Sequence, residues 1–344
     1  MGNNSEDQSL NDQNRDLKYS DALRWTPEQA AQWYVKNKFP EEFGKKLEDK
    51  YPGGFWTTMN GKVIFLKKNG EIAEETFPKL QALKNMGDAS YLGGAGKKDI
   101  YSDNYGRQYI FKPSISKFGS KELFRALVQQ AVCKIASRIF SYGDHVPVHI
   151  DTATDLVFGS VQPLIPGVIG NLKDINWRIL TTDQIQDIQR EHVLDWTIGN
   201  FDSHAGNFIL VERGKVLGID KEQAFRYMND FKSLKMNLDY HPNEQYGEWE
   251  PIYNDIYRDY ANSKIDLDLS VIDRPLARLE SITEVEYMQI LKPYVESLKL
   301  RDSFYQKAFE RKKNARSEFH DFFVRLKQQR GLNRKRVFEE IGGE

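Results

Sequence analysis

The feature that most restricts this chain is a spaced trio of oxygen-bearing side chains around one short apolar hairpin. The segment NFDSHAGN carries Asp202 and, five residues on, Asn207; Asp220 follows 13 residues later. Between the last two, the residues read as a strand, a tight turn at Gly214 and a second strand. Such a hairpin returns the chain to its starting end, which places an amide oxygen and a carboxylate within reach of one hard cation. Magnesium takes oxygen ligands of this kind and keeps some water. Asp220 also ends the apolar run Val216, Leu217, Ile219, and an acid there must face a cleft or be paired. The competing reading is that all three are ordinary loop and turn residues.

Phosphoryl transfer asks for magnesium ligands, for a carboxylate that orients the attacking hydroxyl, and for a cradle and a cation that hold the phosphates. Lys112 is the candidate cation. It ends the run Gln108, Tyr109, Ile110, Phe111, so it can point inward from a strand, although a solvated lysine at a strand end would look the same. A lysine turned into a cleft needs an acid. Over 120–140 the pattern predicts a helix capped by Ser120, with Leu123, Leu127, Ala131, Ile135 and Ile139 on one apolar face. Its one acid, Glu122, is the partner by elimination, unless it merely suits the positive helix N-terminus.

The turn Gly93, Gly94, Ala95, Gly96, followed by Lys97 and Lys98, can offer backbone amides and positive charge to phosphates. Glycine triplets also serve as plain flexible turns, and the full P-loop pattern is missing. His204, inside NFDSHAGN, either positions that loop or a phosphate or makes a structural hydrogen bond. His192 falls on a second predicted helix, capped by Thr182 or Asp183, and reads as packing. Cys133 on the first helix reads as core rather than nucleophile.

Composition sets the outer limits. In 344 residues with 40% hydrophobic side chains there is ample material for a core, and length alone suggests two domains or one large two-lobed one. Lys and Arg number 49 against 50 Asp and Glu, so no whole-chain charge argues for nucleic acid. A single cysteine excludes an intrachain disulfide framework and multi-cysteine zinc sites. No apolar run is long enough to span a membrane, and the polar N-terminus lacks a secretory signal, so a soluble, cytoplasmic protein is expected. Residues 1–20 read as a disordered tail. Residues 21–90 read as an extension, with a helix capped at Thr26 and a hairpin in GKVIFLKKNGE. DLVFGSVQPLIPG reads as a strand ending at Pro163, and beyond residue 230 the chain reads as mostly helical with a basic end.

Taken in order, the glycine turn, YIFKP, the helix with Glu122, NFDSHAGNFIL and GID resemble the atypical protein-kinase-like superfamily. The similar branches are those of phosphatidylinositol kinases, HipA-type serine/threonine kinases and actin-fragmin kinase. Asn200, Asp202, His204 and Asn207 match their N-x-D-x-H-x-x-N catalytic loop, and Phe111, Lys112, Pro113 match the Phe-Lys-Pro at the nucleotide lysine. The resemblance covers roughly residues 90–225.

It implies an α+β, bilobal protein-kinase-like fold, with a small β-rich N-lobe over 91–165 and a mainly helical C-lobe over 166–344. It further implies ATP and Mg²⁺ as cofactors, Asp202 as catalytic aspartate, Asn207 and Asp220 as magnesium ligands, and Lys112 as the nucleotide-phosphate lysine. Gln162 to Leu164 would lie near the adenine-contacting hinge. Two departures stand out: the usual glycine after the metal-binding aspartate is replaced by Lys221-Glu222, and H-R-D by Asn200-Phe201-Asp202.

The function expected is therefore an ATP-dependent kinase acting on a protein Ser/Thr hydroxyl. A lipid head group is the second choice of acceptor. AMP transfer and a non-catalytic nucleotide-binding module are the readings outside kinase chemistry. No nucleic-acid partner is expected.

Overall fold

The computed structural model divides into two compact units, Met1–Pro78 and Lys79–Glu344. It describes residues 49, 52, 55–59, 62–67 and 72–75 of the first. In the second it describes 79–89, 92, 97–103, 106–114, 123–141, 144–154, 157–212, 214–226, 228, 250–300 and 302–341. The expected tail over 1–20 and the helix expected at Thr26 lie outside these residues. The first unit shows an antiparallel sheet, β1 (Phe55–Met59), β2 (Lys62–Leu66) and β3 (Ile72–Glu75), in that order. Its β2–β3 pair flanks the expected Asn69-Gly70 turn, which is itself outside the described residues.

The second unit is a mixed α and β assembly, with antiparallel sheet in its N-terminal part and helices in its C-terminal part. Its main sheet runs β4-β5-β6-β8-β7. The strands are β4 (Lys84–Asp88), β5 (Asp99–Ser102), β6 (Gln108–Pro113), β7 (His149–Thr154) and β8 (Val157–Pro163). The turn between β5 and β6 is held by Asp103, whose carboxylate accepts from the Arg107 amide at 2.9 Å, while Gly106 takes φ +78°. On β6, Tyr109, Ile110 and Phe111 are buried, and Phe111 meets Tyr101 edge-on with ring centres 6.0 Å apart.

Helix α1 (Leu123–Ile139) lies between this sheet and the helical part, touching β7 and β8 on one side and three later helices on the other. This two-sided burial corrects the single apolar face expected from the sequence. Ala126, Val128, Val132 and Ala136 are buried along with Ala131, Ile135 and Ile139, whereas Leu127 is only half-buried. Residues 120–122 lie outside the described residues.

Helix α2 (Thr182–Thr197) is capped by Thr181, one residue before the first of the expected caps, Thr182 and Asp183. Thr181 Oγ1 accepts from the Gln184 amide at 3.3 Å, and Gln184 Oε1 accepts from the Thr181 amide at 2.9 Å. That reciprocal pair satisfies two helix-end donors, which neither Thr182 nor Asp183 does, and leaves Asp183 in the first turn where the helix dipole favours it. A second sheet, β11-β10-β9, follows the strands β9 (Val168–Asn171), β10 (Phe208–Val211) and β11 (Lys215–Gly218). Helices α3 (Ile252–Ala261), α4 (Asp273–Ser281), α5 (Glu284–Ser297) and α6 (Asp302–Ile341) complete the chain, and α1 packs on α4 and α5.

One core joins these helices, built from Ile135, Ile188, Trp196, Phe208, Tyr253, Leu291 and Phe319 among others. His192 belongs to it, as expected. Its ring stacks on Tyr253 at 4.0 Å, and burial, aided by Arg311, pushes its pKa down to about 3. No helix among the described residues is long and apolar enough to cross a membrane.

Candidate active site

The β10–β11 hairpin sets the geometry. Gly214, at φ +74°, makes the turn, and the strands pair from Val211 with Lys215 down to Phe208 with Gly218. Continuing that register, the Ile219 amide donates to the Asn207 carbonyl at 2.8 Å. Asp220 therefore leaves the hairpin beside the residue that entered it. Asn207 in turn donates from Nδ2 to the Asp202 carbonyl at 2.7 Å, which closes residues 202–207 into a compact loop. With its nitrogen so committed, the Asn207 Oδ1 is the atom left to face a cation.

His204 finishes the loop. Its Nδ1 accepts from the Gly206 amide at 3.0 Å, so a neutral ring carries its proton on Nε2, which lies 3.4 Å from Asp202 Oδ1. Burial lowers the His204 pKa and favours that neutral form. The Asp202 carboxyl is pushed up to about 6, first by burial and then by the negative charge of Asp220.

Lys112 meets this loop from β6. Its side chain is 12% exposed, and Nζ stands 3.3 Å from Asp220 Oδ2 and 3.6 Å from Glu222 Oε1. Burial alone would lower the Lys112 pKa; the two carboxylates outweigh it and hold the ammonium above the ordinary lysine value. Glu222 is fastened to α1, where Gln129 Nε2 donates to its Oε1 at 2.7 Å. Between these two acids Lys221 points the other way, into the core, with Nζ 2.8 Å from both Glu191 and Asp195 of α2. Asp220 itself sits at φ +54°, in the left-handed region that Asp and Asn tolerate better than most residues.

Lys112, Asp202, His204, Asn207 and Asp220 thus come together. Gly93, Gly94, Gly96 and Glu122 lie outside the described residues. Gln162, on β8 opposite Ile110, lines a pocket beside Asp220 together with Val132, Cys133, Val146, Leu194 and Ile219. The Leu164 amide donates to the Gln108 carbonyl at 2.9 Å, so that N–H is committed to the protein backbone.

The sequence reading missed Glu222 as a partner of Lys112. No local pattern marked it, since Asp220 has a left-handed backbone and Glu222 lies in the turn that follows. The sequence reading also had no means to see Lys221 as the anchor of the turn, because Glu191 and Asp195 are more than twenty residues away. Among the described residues no group of three or more His, Cys, Asp or Glu is arranged to hold a metal. Asn207 and Asp220 could supply one amide oxygen and one carboxylate to a cation.

No family model and no curated protein matches the chain. Among solved structures it is similar to the crystal structure of the Helicobacter pylori proinflammatory kinase CtkA, with a TM-score of 0.42 and 13% identity over 74% of this chain and 96% of that one. It is also similar to the N-terminal 618-residue fragment of LepB from Legionella pneumophila, with a TM-score of 0.35 and 14% identity over 64% of this chain and 46% of that one.

Proposed function

We propose that this chain is an ATP-dependent phosphotransferase with a protein-kinase-like fold, using Mg²⁺ and acting on a hydroxyl group. The observation that carries the reading is the convergence of Asp202, Asn207 and Asp220 on one hairpin mouth with the Lys112 ammonium 3.3 Å from Asp220. Asn207 Oδ1 and the Asp220 carboxylate would hold Mg²⁺, which would neutralise charge on the phosphates. Lys112 trades its contact with Asp220 for a phosphate oxygen. Asp202, partly desolvated and steadied by His204, accepts the proton of the acceptor hydroxyl. An aspartate poised near 6 is ionised at neutral pH yet more basic than an ordinary one, which suits that role.

The acceptor class rests on the resemblance of the NFDSHAGN loop to families that act on protein, so a Ser or Thr hydroxyl of a protein is the first choice. The test is incubation of the full chain with Mg·ATP, in the presence of protein acceptors and of phosphoinositide vesicles, with an intact-mass readout. The expected product is protein carrying one or more phosphates. A gain of adenylate mass replaces phosphotransfer with AMP transfer, and phosphate on lipid alone moves the acceptor to a head group. Full turnover by folded Asp202→Ala removes the mechanism.

A further inference from the structure

Glu222 is the acid of the Lys112 cluster that is held in place from two sides. Its Oε1 stands 3.6 Å from Lys112 Nζ and accepts from Gln129 Nε2 of α1 at 2.7 Å. Its Oε2 lies 4.0 Å from Arg125 of the same helix. Gln129 is buried, so the amide that grips Glu222 is itself fixed by the packing of α1 between the sheet and the helices. The backbone on both sides is fixed as well. Lys221 is tied to Glu191 and Asp195, and the Phe225 amide donates to the Ile198 carbonyl at 2.7 Å. The charged groups around the Glu222 carboxylate are Asp220, Lys112, Arg125 and Lys98.

Asp220 also reaches Lys112, and the two acids are not equivalent. Asp220 is 37% exposed at the mouth of the hairpin, where it is free to meet a cation. A carboxylate that ligates a cation attracts a neighbouring ammonium much less. Glu222 is then the acid still in place beside Lys112. The lysine stem is flexible, so an ammonium fixed before the ligand arrives loses less freedom on binding. Without the charge of Glu222, Lys112 falls back on Asp220 and competes there with the cation.

We infer that Glu222 is a positioning residue, which keeps the Lys112 ammonium at the cleft while Asp220 ligates the cation, and that α1 sets its place through Gln129. This rests on the nucleotide reading proposed above and assigns to Glu222 the part expected of Glu122.

The test is titration of the full chain with ATP at a series of free Mg²⁺ concentrations, and with adenosine, which has no phosphate. The variants are Glu222→Gln, Gln129→Met, Lys112→Met and the double variant Lys112→Met/Glu222→Gln. Glu222→Gln keeps the shape and an accepting oxygen for Gln129 while removing the charge. It is expected to bind Mg·ATP about 10-fold more weakly, to need about 10-fold more free Mg²⁺, and to bind adenosine as before. Gln129→Met should shift both quantities in the same direction by about 3-fold. In the Lys112→Met background, Glu222→Gln should add no further loss, which is the mark of a residue acting through Lys112.

Wild-type affinity and Mg²⁺ requirement in Glu222→Gln overturn the inference and leave the nucleotide reading standing. The same loss with and without Lys112, or an equal loss for adenosine, also overturns it, because Glu222 then acts on the fold and not through Lys112. If melting shows that Glu222→Gln does not fold, Gln129→Met decides, and an unchanged Mg²⁺ requirement there overturns the inference. A wild-type chain that binds no Mg·ATP overturns both.

Discussion

Two lysines, Lys112 and Lys221, each face a pair of carboxylates, and they are built for different purposes. Lys221 is sealed. Its Nζ is 2.8 Å from Glu191 and from Asp195; Asp195 also accepts from Tyr253 at 2.7 Å and from Asn200 at 3.0 Å and is wholly buried. Asp195 and then Glu191 push the Lys221 pKa up against the effect of burial. Lys112 is looser: its contacts are 3.3 and 3.6 Å, to acids whose side chains are 37% and 20% exposed. Three consecutive residues serve both clusters, with Asp220 and Glu222 turned to the cleft and Lys221 to the core. A fully satisfied buried pair has nothing left to give a ligand, whereas a longer, half-solvated pair exchanges one partner for another at little cost. The sealed cluster holds the turn so that the open one can work.

The largest contrast is in activity. Asp220→Asn keeps a residue that tolerates φ +54° but removes the charge, and phosphate transfer should fall at least about 1000-fold. The melting temperature should barely move; a large drop would make Asp220 part of the sealed cluster instead. On the other side, Lys221→Met leaves Glu191 and Asp195 buried without their cation, which costs about 3–5 kcal/mol in urea unfolding. Lys112→Met, leaving partly exposed acids, should cost about 1 kcal/mol. Equal losses for the two variants would erase the distinction.

Gly218 tests how tightly the sealed cluster is wrapped. A methyl group there would lie 2.3 Å from Glu191 Oε1 and 2.8 Å from Lys221 Nζ, so Gly218→Ala should cost about 1–3 kcal/mol.

The mildest effect is the dependence on pH. With Asp202 raised to about 6, kcat/KM for Mg·ATP should fall about tenfold per pH unit below that value. Stability runs the opposite way. A carboxyl that holds its proton more tightly when folded adds stability that is complete below its unfolded value of 3.8 and is lost as pH rises through about 6. Asp202→Asn should flatten that part of the stability profile, and an unchanged profile would return Asp202 to an ordinary exposed acid.

Part of this could be read without coordinates, and the reason is range. The β10–β11 hairpin is local, so the spacing of Asn207 and Asp220 across an apolar run with a glycine turn was enough to join them. The strand carrying Lys112 and the packing of His192 followed from short patterns in the same way. The start of α2 was missed by one residue because Thr181 and Thr182 are both capable caps, and only the Gln184 side chain chooses between them. Strand β9 was not anticipated at all: Val168 and Ile169 are exposed on an edge, so no alternation marks them.

Geometry that depends on near neighbours in the chain, or on one hairpin, followed from the order of the amino acids, because turn geometry and strand period act over that distance. The tertiary structure alone decided that Glu222 shares Lys112 with Asp220 and that Lys221 turns inward to Glu191 and Asp195. Each of those pairings joins segments whose register and burial are set by the packing of the whole sheet and helix core, and no local pattern encodes which distant charge a buried lysine will meet.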